Sequence, residues 1–160
     1  MFTINGIPAH PLVIHAVVVL LPLATLGALL IAVRPRLRRT FGIPVLLMAL
    51  VGVAAVPVAT QTGEQLQRVL PGPNPLIQIH EQRGNTLLPW AVAFLVVLAV
   101  AVVTEFRTSR PVDGATTRTS SRVTTIATVL AAVLGLVVTG LVVWIGDAGA
   151  TAVWKGVGRG

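Results

Sequence analysis

The chain contains no cysteine. Disulfides, thiolate metal sites, iron–sulfur clusters and a cysteine nucleophile are thereby excluded. Charge is scarce as well. Charged residues make up 11% of the 160, against about 25% in soluble globular proteins. Serines are few, and Ser109, Ser120 and Ser121 fall in a loop expected on the opposite side from every histidine, so no nucleophile-and-base pair of a hydrolase stands out. The pI near 11.9 does not point to nucleic acid, because no basic helix alternates with stacking aromatics. The tail GDAGATAVWKGVGRG lacks the preceding strand and following helix that a phosphate-binding loop requires.

Apolar sequence is what the chain has in abundance. Hydrophobic residues reach 54% and the mean hydropathy is +0.88. Crossing a hydrocarbon core takes about 20 residues at roughly 1.5 Å each. Four runs meet that length, at about Pro11 to Val33, Phe41 to Thr60, Leu87 to Thr104 and Thr124 to Ile145. The expectation is an all-α, four-helix transmembrane bundle in a lipid bilayer, one domain over residues 1–160. Arg34, Arg36, Arg38 and Arg39 lie between the first two runs, and Arg107, Arg110, Arg118 and Arg122 between the last two. Only Arg68, Arg83, Lys155 and Arg159 lie on the other side. This excess predicts that the two basic loops face the cytoplasm and that both termini and the 61–86 loop face outward. Trp90, Trp144 and Trp154 fall near the outer ends, as interfacial belt residues do. The first run exceeds a secretory h-region and its cations follow it, which predicts a retained span. The strong preference for arginine over lysine suggests a GC-rich bacterial genome, hence the bacterial cytoplasmic membrane.

The spans are nearly free of charge, and a charge at mid-bilayer costs several kcal/mol. Pumps and ion carriers usually accept that cost, so a small transporter is the disfavoured reading. Pro22, Pro44, Pro57 and Pro89 predict kinked or loosened helices. The fourth span has no proline and carries Ala127, Ala131, Gly135 and Thr139 at spacing four. Such a stripe admits a closely packed helix, from the same bundle or from another subunit.

Polar chemistry gathers at the outer side, where His10, His15, His80, Glu64, Glu81 and Asp147 all fall. His10 precedes Pro11 and is expected to cap or precede the first span. His15 is expected in its second turn, facing the bundle. A five-residue step turns a helix by about 140°, so the two are not the i, i+4 pair of a zincin. In PNPLIQIHEQRGN, Pro75 predicts the start of a helix that is loosened near Gly84. A short internal repeat is visible, with His15 and Pro22 matching His80 and Pro89, and Gly63-Glu64 matching Gly146-Asp147. Imidazoles with a carboxylate suit zinc, copper, nickel or non-haem iron, and two imidazoles from facing helices can hold a haem b. Without a metal, a histidine–carboxylate pair can orient a quinone. The candidate donors are His15, His80 and His10, with Glu64, Asp147 and Glu81 as alternative or supporting groups. The competing reading is that each imidazole simply bonds a backbone carbonyl at a helix end.

The opening INGIPAHPLVIHAVVVLLPLA resembles that of a bacterial family of four-span membrane proteins of unknown function, whose members begin Gly-x-Pro-x-His-Pro-x-x-x-His. The likeness continues at Thr62-Gly63, at His80, and at Gly146-x-x-Gly149-Ala150, Val153-Trp154 and Gly156-Val157-Gly158. It implies four spans and a polar outer face carrying His10, His15 and His80. The family often has a histidine where this chain has Asp147, which can also ligate. The leading expectation is a metal- or haem-binding membrane protein in a redox-linked role. Its rival is a non-catalytic subunit of a larger membrane assembly, packed against other subunits or against copies of itself.

Overall fold

In a computed structural model, residues 3–4, 6–69, 74–108 and 117–154 are described. Ser109, Arg110, Asp113, Lys155, Arg159 and residues 156–158 lie outside them, as do the side chains of Arg118, Ser120 and Ser121. A two-rung antiparallel ladder opens the chain, β1 (Thr3–Ile4) pairing with β2 (Ile7–Pro8). Its turn needs a residue at positive φ, and Gly6 supplies it at 79°.

Five α-helices follow among the described residues: α1 (Ala9–Val33), α2 (Arg38–Gln67), α3 (Pro75–Gly84), α4 (Leu87–Thr108) and α5 (Thr117–Trp154). A 3-10 turn, Pro35–Leu37, links the first two. Four helical segments are long and apolar enough to cross a membrane, with α3 and α4 forming one of them. The helices outrun the apolar stretches that announce them. His10 lies inside α1 rather than before it. Neither Gly63-Glu64 nor Gly146-Asp147 marks a helix end, since α2 runs to Gln67 and α5 to Trp154. Pro22, Pro44 and Pro57 sit within helices that continue through them, as membrane helices tolerate.

The helix expected from Pro75 is α3. Asn74 caps it, its Oδ1 accepting from Leu76 N at 2.9 Å, and Pro75 takes the first position, where no N–H is missed. Asn85 and Thr86 form the turn between α3 and α4, where the Thr86 hydroxyl donates to Arg83 O at 2.7 Å.

The bundle is square. The pairs α1/α2, α4/α5, α1/α5 and α2/α4 pack, while the diagonal helices barely meet. Leu21, Phe94, Leu98 and Val138 are fully buried at its centre. Outward-facing Leu26 (62% exposed), Leu47, Val96 and Leu136 make the apolar coat that a bilayer covers. The start of α1, the end of α2, α3 and the end of α5 share one end of the bundle; the Pro35–Leu37 turn, the end of α4 and the start of α5 share the other.

The small stripe of α5 faces this bundle. Ala127, Ala131 and Gly135 are buried, and a Cβ on Gly135 would stand 2.9 Å from Thr25 Oγ1. Thr139 donates to Thr25 Oγ1 at 3.0 Å, and the Thr25 hydroxyl is shared between Leu21 O and Gly135 O at 2.9 and 3.0 Å.

One cation departs from its expected place. Arg38 is not a solvated loop charge; it begins α2 and is 7% exposed. Its Nε donates to Ile31 O at 3.1 Å and its Nη1 to Thr125 Oγ1 at 3.2 Å. Glu105 lies 4.0 Å from Arg38 and 3.9 Å from Arg39. Donors spent on a carbonyl and a hydroxyl, with a carboxylate 4.0 Å away, make the burial of a guanidinium tolerable.

Candidate functional site

His10 is the second residue of α1 and is half-buried against α2. Its Nδ1 lies 2.9 Å from Ala59 O, and since a carbonyl only accepts, Nδ1 carries the proton. The Thr62 hydroxyl, 3.4 Å from the same nitrogen, is bonded to Val58 O and Ala59 O. The ring lies on Gly63: a Cβ there would come within 2.9 Å of His10 Cε1.

His80, on α3, makes the same arrangement with α5. Its Nδ1 donates to Ile145 O at 3.0 Å, and a Cβ on Gly149 would come within 3.1 Å of its Cε1. In both cases the glycine lies one turn after the carbonyl. Helical side chains lean back toward the N-terminus and cover that carbonyl. A glycine leaves it open to a second donor. Arg83 reinforces the docking of α3, its Nη1 donating to Trp144 O at 3.2 Å and its guanidinium lying 4.3 Å from the Trp144 ring centre.

With Nδ1–H committed, the neutral form of each imidazole has an unprotonated Nε2. Neither Nε2 has a hydrogen bond among the described residues, and no buried side-chain nitrogen or oxygen there lacks a partner, so both are open to the surroundings. An imidazole oriented through Nδ1–H on a backbone carbonyl, with Nε2 free, is the arrangement in which histidine ligates metals.

The other candidates are not gathered here. His15 does not face the bundle; it is exposed, and its Nδ1 donates to the Pro11 carbonyl on its own helix. That local bond satisfies the ring without a neighbouring helix. Glu64 is exposed and lies 3.9 Å from Arg68. Asp147 is exposed and Glu81 half-buried. Among the described residues no three His, Asp or Glu side chains cluster as a metal-binding group, and His10 and His80 each lie against a backbone carbonyl of a neighbouring helix. The partners that sequence reasoning missed are the Ala59 and Ile145 carbonyls and Gly149 as a ring bed. Matching small residues one turn after each carbonyl was the available signal.

The family model "Predicted membrane protein (DUF2231)" matches residues 6–159. The chain belongs to the DUF2231 family. The match spans both histidine arrangements and all four candidate membrane spans, and the family description carries no activity. No curated protein and no solved structure matches the chain.

Proposed function

We propose that this DUF2231 protein binds a redox-active transition metal, as haem iron or as a bare ion, through Nε2 of His10 and Nε2 of His80. The observation that supports this is the commitment of both Nδ1–H groups to carbonyls of neighbouring helices, which leaves two neutral nitrogen donors at one end of the bundle. Two protein donors suit a metal whose other positions are filled elsewhere, as a porphyrin does for iron, or a copper(I) ion content with few soft or imidazole ligands. A haem iron held by both histidines would have no open position for substrate, which fits electron transfer better than catalysis.

The test is metal analysis of the detergent-purified full chain, prepared without chelator, together with its absorption spectrum. About one iron or copper per chain is expected, lost in His10→Ala and His80→Ala and kept in His15→Ala. Folded protein carrying no metal above background sinks the reading.

A second reading has its own observation. Both imidazole bonds join separate helices and would serve as clasps in a packing subunit without any ligand. It predicts lower thermal stability for His10→Ala and His80→Ala with no metal in either variant or in the parent.

A further inference from the structure

The repeat visible in the sequence is present in the structure, in a different register. In α1 the buried Val17, Leu21 and Ala28 stand at one constant offset from the buried Leu87, Ala91 and Leu98 of α4. The same offset carries His10 onto His80, not His15. In the second helix of each half, the buried Val45, Ala49 and Val56 of α2 stand at another constant offset from Ala131, Gly135 and Val142 of α5. That offset carries Ala59 onto Ile145 and Gly63 onto Gly149, not onto Gly146. The packing obeys the same exchange, since α1 lies on α5 as α4 lies on α2. Three independent features therefore share one register: burial in both helices, the carbonyl taken by each imidazole, and the glycine under each ring.

We infer that the chain is one helical hairpin used twice, that His10 on Gly63 and His80 on Gly149 are equivalent halves of a single site giving both imidazoles to one metal ion between them, and that Gly63 and Gly149 are its positioning residues. This rests on the metal reading above. The ligand class follows from the equivalence. An ion shared by two like halves takes two like bonds, which excludes a lopsided three- or four-ligand centre and leaves ions satisfied by a symmetric imidazole pair. Haem iron, with two axial positions, and two-coordinate copper(I) share that chemistry. The glycines act through the rings. A methyl group at either would press on the imidazole, at 2.9 and 3.1 Å from Cε1 and at 3.2 Å from Nδ1 in both, and so push the ring away from the position that sets its tautomer.

The experiment titrates the purified full chain in detergent with haemin in one arm and with copper(I) under anaerobic reductant in the other. One arm is expected to saturate at one equivalent per chain, with two indistinguishable imidazole nitrogens on the metal by X-ray absorption and magnetic resonance. Gly63→Ala and Gly149→Ala are each expected to weaken binding by roughly 10- to 100-fold, the usual effect of disturbing the groups that orient a ligand, and by similar factors. Gly140→Ala is the control, since its Cβ meets nothing within 4 Å, and it binds as the parent does. A loss in only one glycine variant, or in neither, overturns the paired positioning and leaves the metal reading standing. A parent that binds neither probe overturns both. Should the glycine variants fail to fold, the parent's spectrum decides alone: two unequal imidazole nitrogens, or only one, overturn the equivalence.

Discussion

His80 lies on Gly149, its Cε1 3.1 Å from where a Cβ would stand, with its Nδ1 3.0 Å from the carbonyl one turn earlier. This contact fixes which nitrogen of the ring holds the proton. Nitrogen NMR of the full chain labelled at histidine is expected to show the Nδ1–H neutral form for His80 and, through Ala59 O, for His10. Free imidazole favours the other tautomer, and its dominance at either residue would show that the carbonyl bond is not formed.

Gly135 is the tightest approach of α5 to the centre. A Cβ there meets Thr25 Oγ1 at 2.9 Å and Phe94 Cε2 at 3.2 Å. Gly135→Val is expected to cost about 1–3 kcal/mol, the range for overpacked cores. Gly140→Val, on open surface, is expected to stay within about 0.5 kcal/mol. Thermal unfolding in one detergent compares them, and equal melting temperatures would contradict the close approach.

The hydroxyls of Thr25 and Thr139 are bonded at 3.0 Å between α1 and α5. A double-mutant cycle of Thr25→Val and Thr139→Val is expected to give a coupling near 0.6 kcal/mol, the average for interhelical hydrogen bonds in membranes. Strict additivity of the two substitutions would remove the bond from the folded state.

Arg38 and Arg39 are neighbours with different surroundings, one 8% and the other 60% exposed at the side chain. Arg38→Lys is expected to cost about 1–3 kcal/mol, because an ammonium cannot serve Ile31 O and Thr125 Oγ1 with the fixed fork of a guanidinium. Arg39→Ala is expected to cost less than about 1 kcal/mol. Chemical unfolding of the two variants in the same detergent is the check, and the reverse order would refute the buried role of Arg38.

The native chain has no cysteine, which makes membrane sidedness clean to measure. Single cysteines at Gln82 and at Arg36 are expected to react with impermeant maleimide from opposite sides, Gln82 from outside by the distribution of arginine and lysine. Labelling of both from one side would break the up-and-down arrangement.

The four spans were legible because apolar runs of that length have few other uses. The helix at Pro75 was legible because Asn-Pro is both a cap and a first-turn signal. The ends of α2 and α5 were not, since the apolar runs stop near Thr60 and Ile145 although both helices continue past them. Arg38 was misread because counting loop cations for orientation takes no account of a side chain folding back over its own helix start. The site was half legible. The sequence drew attention to His10, His15 and His80 alike, but only packing separates His15, satisfied by its own helix, from the two rings that reach across to another. The repeat was visible in the wrong register because it was read from landmarks such as Pro22 and Pro89, which do not correspond.

The stacking of Arg83 on Trp144 gives the molecule an optical gauge. Trp144 supplies one of the two adjacent carbonyls by which α3 is held, and His80 takes the next. With Trp90 and Trp154 changed to phenylalanine, the remaining indole fluorescence would come from that seam alone. Its colour and intensity would then follow how firmly α3 is seated on α5, in real time and without an added dye.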